Sequence, residues 1–384
     1  MSEIDSFMKS IDNAINMFKK YGSKDVLLIF HDDADGISSG AIAYKALKKM
    51  GYNIRLICIE KILPQILEYI HKKKDKIIFY TDLASPHADK ISKLNSSKNL
   101  VIILDHHDPT KSTDPLVFNI NPELHGMTGE RDASGSAVTY MFMKRLDESN
   151  IDLSPIALIG TKEIPGKIRG INLLVKKDAE NIGINIDIDK YFKILQVIGP
   201  VGYYSDGPYL GIEACLEGLN ERITNFYNEL RERRMKANKR MLAILYRKGF
   251  NNTKHVQWFD SGNIFGGMGT KALGTFCSYI SYMGKLVDPY KYIIGFMRMP
   301  KKIPGLMEIK GEWLKVSCRA PNILKRKIKI GSAPPIVDIL IYASGKVDGI
   351  ADGHSVAGSA VIPLDKKIEF IEYMDEYVDD KIVI

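Results

Sequence analysis

Two hydrophobic periods divide the first part of the chain. Val26–Phe30 is a continuous apolar run of strand type, and Ile54–Ile59, Lys76–Thr81 and Leu100–Leu104 repeat it. Between these runs the pattern turns helical. Ile37–Met50 is rich in Ala and Lys, a helix starts at Pro64, where proline suits the first turn, and another lies near His87–Leu94. The opening residues, MSEIDSFMKSIDNAINMFKKY, form an amphipathic helical pattern with acidic residues early. Continuous apolar strands separated by helices predict an α/β fold with a doubly wound, mainly parallel sheet.

Further along, a helix at Ser134–Lys144 follows the turn-rich Asn119–Asp132, and residues 151–220 are mixed. Glu221–Lys248 reads as one long helix with Arg231, Arg233, Arg234, Lys236, Lys239 and Arg240. Strands at Tyr292–Arg298 and Trp313–Arg319 mark a smaller C-terminal α/β region that ends in a charged tail. A chain of 384 residues is too long for one ordinary core. The expected organisation is a domain over 1–220, a connecting basic helix over 221–250 and a second domain over 251–384.

Composition narrows the class. Hydrophobic content of 45% with 26% charged residues is that of a folded soluble protein. No apolar run approaches the ~20 residues needed to span a bilayer, and the N-terminus lacks a signal-peptide pattern, so no membrane role and a cytoplasmic location are expected. Cys58, Cys215, Cys277 and Cys318 are isolated and form no CxxC pair, which excludes a zinc ribbon or redox motif. A net charge of +8 leans towards anionic partners, nucleic acid first. Gln is scarce beside plentiful Lys, Ile and Glu, which suggests a heat-adapted source and weakens that charge argument.

The chemistry gathers where the strands end. His31-Asp32-Asp33-Ala34-Asp35-Gly36, Thr81-Asp82 and Asp105-His106-His107 each follow an apolar run. In open parallel sheets ligands bind beyond the carboxyl ends of the strands, so one shared site is expected. Carboxylates and imidazoles are costly to desolvate unless they bind something positive. This donor mixture suits Mn²⁺, Mg²⁺ or a related divalent ion. If the segment stays extended, His31, Asp33 and Asp35 share a side, and Gly36 permits a tight exit into the next helix. An ordinary strand–helix turn with an Asp cap would explain the first motif alone. Adjacent imidazoles at a buried strand end are harder to explain by packing. Tyr203-Tyr204 could stack on bases or sit at a domain interface.

In this order and spacing, HDDADG, TD and DHH resemble the DHH phosphoesterase superfamily. Ser317-Cys318-Arg319 and the segment DGHSVAG from Asp352 resemble its DHHA1-type C-terminal domain. NPELHGMTGERDASGSAVTY and GYYSDGPYLGIEACLEG are similar to the archaeal RecJ-like branch, whose members include a GINS-associated nuclease. The resemblance implies two divalent ions, commonly Mn²⁺ with Mg²⁺ or Co²⁺ as alternatives, and hydrolysis of phosphodiesters or pyrophosphates. It implies that His31 and Asp33 hold one ion, Asp35 and His106 the other, and that Asp82 bridges them. Asp105 would orient an imidazole, and His107 would face the substrate phosphate. Arg319 and the Gly353-His354 loop would hold nucleic-acid phosphates.

One departure qualifies the expected activity. The family's fourth motif resembles ALxGxxGD, whereas this chain has Ala157-Leu158-Ile159-Gly160-Thr161-Lys162-Glu163-Ile164-Pro165-Gly166, without the Asp. Glu163 could substitute with a longer arm, and Lys162 would oppose a cation. The resemblance therefore implies either an exonuclease on single-stranded DNA or RNA in replication or repair, or an impaired paralogue that binds GINS and the replicative helicase. A phosphodiesterase for short oligonucleotides or cyclic dinucleotides is a third reading.

Overall fold

The structure, a computed structural model, describes residues 2–382. It contains two compact units. The first runs to Asn228 and takes in Pro304–Met307; the second comprises Glu229–Ile303 and Glu308 onward. The expected α/β class holds in both.

The first unit opens with α1 (Glu3–Lys20), capped by a reciprocal Ser2–Asp5 box, with Phe7, Ile11, Ala14, Ile15 and Phe18 on its buried stripe. The strands are β1 (Asp25–Phe30), β2 (Asn53–Cys58), β3 (Ile77–Thr81), β4 (Leu100–Leu104) and β5 (Val117–Ile120). All neighbours pair in parallel, in the order β2-β1-β3-β4-β5. β3 and β4 are buried at every position, which is why they read as unbroken apolar runs. The chain leaves β1 towards β2 on one side and returns to β3 on the other, so the ends of β1 and β3 flank the topological switch point.

Helices α2 (Ala34–Lys49), α3 (Pro64–Ile70) and α4 (Ala88–Asn95) form the crossovers. After β5 come the short α5 (Gly129–Asp132), then α6 (Gly135–Leu146), α7 (Ser154–Thr161), α8 (Gly170–Ile182), α9 (Ile188–Val201) and α10 (Gly207–Glu217). The stretch that reads as mixed from sequence is thus almost wholly helical. α7 is buried at all eight positions, so no amphipathic stripe announces it, and α9 carries Pro200 inside the helix.

The long helix α11 (Glu221–Lys248) forms as expected, and the division between the units falls within it. In the second unit, β6 (Asn251–Asn252) and β7 (Val256–Asp260) precede α12 (Lys271–Ile280) and β8 (Tyr292–Arg298). A two-stranded ribbon, β9 (Lys302–Ile303) with β10 (Met307–Glu308), follows. Then come β11 (Trp313–Arg319), α13 (Asn322–Lys329), α14 (Ile336–Gly345), β12 (Ile350–Gly353), β13 (Ala357–Pro363) and α15 (Lys367–Ile382). The six-stranded sheet has the order β12-β13-β11-β8-β7-β6, with β7 and β8 parallel and the other pairs antiparallel. Ile294, Phe296, Val316, Ile336, Leu340 and Phe370 form its core. Among the described residues no helix is long and apolar enough to cross a membrane.

Candidate metal centre

His31 leaves the end of β1, and the chain turns at once. Asp33 caps α2, its Oδ1 accepting from the Gly36 amide at 2.9 Å. A Cβ on Gly36 would lie 2.5 Å from the Cβ of His31, so the tightness of this turn requires glycine. Asp35 then sits in the first turn of α2. The extended geometry expected for this motif does not occur: helix entry, not strand alternation, carries Asp35 inward. Asp82 follows β3 with φ of 62°, and Ala84 has φ of 88°. Two non-glycine residues in the left-handed region cost of order 1–3 kcal/mol each, and such strain gathers at functional sites. Asp105, His106 and His107 follow β4.

These groups converge. His31 Nδ1 is 2.9 Å from Asp33 Oδ2 and 3.6 Å from Asp82 Oδ2. His106 Nε2 is 3.5 Å from Asp82 Oδ1 and 3.8 Å from Asp35 Oδ2. Two donor groups could each hold an ion: His31, Asp33 and Asp82, and Asp82, His106 and His107, with donor atoms within 4.8 Å of one another in each. Asp82 belongs to both. The second group brings in His107, which the sequence resemblance reserves for substrate. Asp35 stands beside it through His106.

The surroundings test whether a cation fits. His106 Nδ1 lies 3.2 Å from the Gly129 carbonyl, which can only accept, so Nδ1 carries a proton. In the neutral ring Nε2 therefore presents a lone pair to two buried carboxylates. Asp82 Oδ1 is itself buried without a hydrogen bond. Burial alone would lower the His106 pKa, but Asp82, then Asp35 and Asp105, push it up to about 10. Burial, then the Asp82 charge, push Asp35 up to about 7. The cluster is short of positive charge, and a divalent ion between these atoms supplies it.

Supporting groups fix the donors. Asp35 Oδ2 and Oδ1 accept from the backbone amides of Gly135 at 2.7 Å and Ser136 at 2.8 Å, at the Ser134-capped start of α6. A Cβ on Gly135 would lie 2.3 Å from Asp82 Oδ1, and one on Gly160 2.1 Å from Asp35 Oδ1. Sequence reading missed both glycines and Ser136; the Ser-Gly-Ser opening of α6 was the available signal. Asp105 stands behind the imidazoles, accepting from the Ser85 amide at 2.9 Å and bonding His107 Nδ1 at 2.7 Å. Burial works against its charge, yet His107, His106 and Ser85 outweigh this and hold its pKa well below the usual carboxylate range. His107 has its side chain 43% exposed.

The fourth-motif segment closes α7. Lys162 pairs with Asp189 at 2.8 Å, and Glu163 accepts from Gln196 Nε2 at 2.9 Å. Glu163 belongs to neither donor group. Tyr203 is buried, with its hydroxyl on the Cys58 carbonyl at 3.0 Å, and Tyr204 donates to Glu60 at 2.8 Å. Their rings serve the core of the first unit, and Tyr203 is not free to stack on bases.

In the second unit, Arg319 ends β11, donating from Nε to Ser278 Oγ at 2.7 Å and from Nη1 to the Cys318 carbonyl at 2.7 Å. Arg319 is in register with Ala357, and Gly353 with Gly358. Gly353 has φ of 146°, and a Cβ there would lie 2.4 Å from Gly358 Cα. His354 N bonds the Ala357 carbonyl at 2.7 Å. Arg319, Gly353 and His354 thus share one end of the second sheet.

The family described as DHH family, N-terminal domain, matches residues 25–161. An uncharacterized protein of Methanocaldococcus jannaschii is 28% identical over 166 residues, 42% of this chain and 36% of that protein. RecJ of Thermus thermophilus in complex with Mn²⁺ superposes with a TM-score of 0.67 at 15% identity, over 97% of this chain and 55% of its own. Exonuclease RecJ bound to manganese gives 0.65 at 16% identity, over 96% and 94%. CDC45 of Entamoeba histolytica gives 0.56 at 10% identity, over 98% and 99%. The chain thus spans about a third of its curated relative and about half of the Thermus RecJ. Residues 25–161 thus resemble the N-terminal domain of the DHH family, and the chain shares the fold of the RecJ structures.

Proposed function

We propose that the chain is a divalent-metal-dependent phosphodiesterase, an exonuclease on single-stranded DNA or RNA that serves replication or repair. The observation that carries this reading is the buried cluster itself: His106 Nε2 stands 3.5 Å from Asp82 Oδ1 and 3.8 Å from Asp35 Oδ2, in surroundings short of positive charge. His31 and Asp33 would hold one ion, Asp35 and His106 the other, and Asp82 both, with Mn²⁺ the best match and Mg²⁺ or Co²⁺ as alternatives. Bound there, a metal pair supplies an activated water and charge neutralisation for in-line displacement at phosphorus. The protein groups do the positioning. The start of α6 fixes Asp35, and Asp105 holds the His107 ring through Nδ1, which leaves Nε2 to serve the substrate phosphate. Arg319 and the Gly353-His354 turn would hold the strand through guanidinium and backbone donors.

Hydrolysis of end-labelled DNA and RNA with Mn²⁺, Mg²⁺ or Co²⁺ tests the reading, with Asp82→Ala as control. Metal-dependent release of mononucleotides by the parent alone is expected. No release with any of the three metals on either polymer would overturn it.

A second reading rests on the fourth motif. Lys162 and Glu163 are engaged by Asp189 and Gln196, and no Asp stands at the end of α7. In this reading the chain is an impaired RecJ paralogue that binds GINS and the replicative helicase. Strong hydrolysis created by Ile164→Asp in an inert parent, with co-elution of the parent and GINS, would favour it.

A further inference from the structure

The positive charge is unevenly placed. Residues 319–337 contain five Lys and Arg and no Asp or Glu. Four of the five fall in α13, NILKRKIK, whose Leu324 and Ile328 are buried. Ile323 and Ile330 remain 38% and 78% exposed, and Arg326, Lys327 and Lys329 are on the outer surface with Lys325 half-buried beside them. Against this helix lies the segment after α12. Tyr282 and Tyr290 there are 66% and 58% exposed. Lys325 Nζ stands 4.4 Å from the centroid of the Tyr282 ring and 3.3 Å from its hydroxyl, and Lys327 Nζ stands 5.0 Å from the Tyr290 ring. Helix and loop thus make one surface. Asp288 is the sole acid between 279 and 291, and its carboxylate is engaged by the Tyr290 amide.

Exposed rings interleaved with ammonium groups suit one class of ligand. Phosphates take the cations, and a ring left mostly in water offers a stacking face to an unpaired base. A duplex hides its base faces and has no use for the rings. A lipid surface would need a broad apolar face, and α13 with its C-cap offers it only Ile323 and Ile330. An acidic protein would engage the cations and leave the tyrosines idle. The Arg319 guanidinium, bonded to Ser278 Oγ, places this surface beside the end of β11.

We propose that Tyr282 and Tyr290, with Lys325, Arg326, Lys327 and Lys329, form a stacking platform for single-stranded nucleic acid that continues outward from Arg319. It rests on the reading of the chain as a nucleic-acid enzyme, but its test does not require hydrolysis. The full chain is titrated in EDTA with a fluorescein-labelled 20-nucleotide DNA and the equivalent RNA, by anisotropy at several salt concentrations. Lys325→Glu combined with Lys327→Glu is expected to raise Kd at least tenfold and flatten the log K against log salt slope by about 1.4 for two phosphates. Tyr282→Ala with Tyr290→Ala is expected to weaken single-strand binding about tenfold while leaving that slope in place. Tyr282→Phe, which keeps the ring, is expected to bind like the parent.

Melting temperatures establish that each variant is folded. The platform is overturned if either double variant binds within twofold of the parent, if duplex binds as tightly as single strand, or if Tyr282→Phe is as weak as the alanine variant. Displacement of the oligonucleotide by phosphatidylserine vesicles or polyglutamate at matched charge would also overturn it, in favour of another polyanion. Failure of the catalytic reading shows separately, as absence of Mn²⁺-dependent release by a parent that still binds the strand.

Discussion

The buried carboxylates of Asp82 and Asp35 can crowd around His106 because the residues packed against them have no side chain to spare. Gly135 and Gly160 stand where a Cβ would strike Asp82 and Asp35. Gly160→Ala should therefore push the Asp35 carboxylate off the start of α6. Overpacking of this kind costs about 1–3 kcal/mol. Mn²⁺ affinity should fall at least tenfold, as when a supporting partner of a metal ligand is lost. Titration calorimetry with Mn²⁺ checks this, and unchanged affinity would show that Asp35 is not needed for the ion. At this scale the sequence was most informative. His31, Asp33, Asp35, Asp82 and His106 stood out because charged groups at apolar strand ends have no packing reason to be there. Gly160 did not stand out, since nothing local distinguishes a glycine that clears a carboxylate from any other.

Among the elements, β3, β4 and the helices beside them enclose a second polar group with a thermodynamic consequence. His71 closes α3 and is buried, with Nε2 3.1 Å from the Tyr80 hydroxyl and Nδ1 3.3 Å from Asn95 Oδ1. Burial lowers its pKa from 6.5 to about 4. The unfolded chain takes up a proton near pH 6.5 and the folded one only near pH 4, so unfolding binds protons between these values. The contribution of His71 is intact above about pH 6.5 and declines as pH falls towards 4, by on the order of 2 kcal/mol between pH 7 and 5. Urea midpoints at both pH values should show this slope in the parent and a shallower one in His71→Gln; equal slopes would discount the burial. The strands of this sheet were legible because they are buried on both faces. Helix α7 was not, because burial on every side removes the stripe by which a helix is read.

For the whole molecule, two compact units imply two cooperative transitions, and the metal donors named above lie in the first unit. Mn²⁺ at about a hundred times its Kd should stabilise that unit by about 2.7 kcal/mol and leave the other unmoved. Differential scanning calorimetry with and without Mn²⁺ separates the two. A shift of both transitions would mean that they unfold as one. The division between units also departs from chain order. Pro304–Met307 lies with the first unit, where the Gly305 carbonyl accepts from Arg55 Nη2 at 2.6 Å on β2. A ribosome that has released only the first 228 residues has therefore not finished the first unit. Its edge strand waits for about eighty more residues, a delay comparable to several seconds of synthesis at ~5–20 residues per second. Truncation at the end of the long helix would make that wait permanent, leaving Arg55 without its carbonyl on an exposed sheet edge.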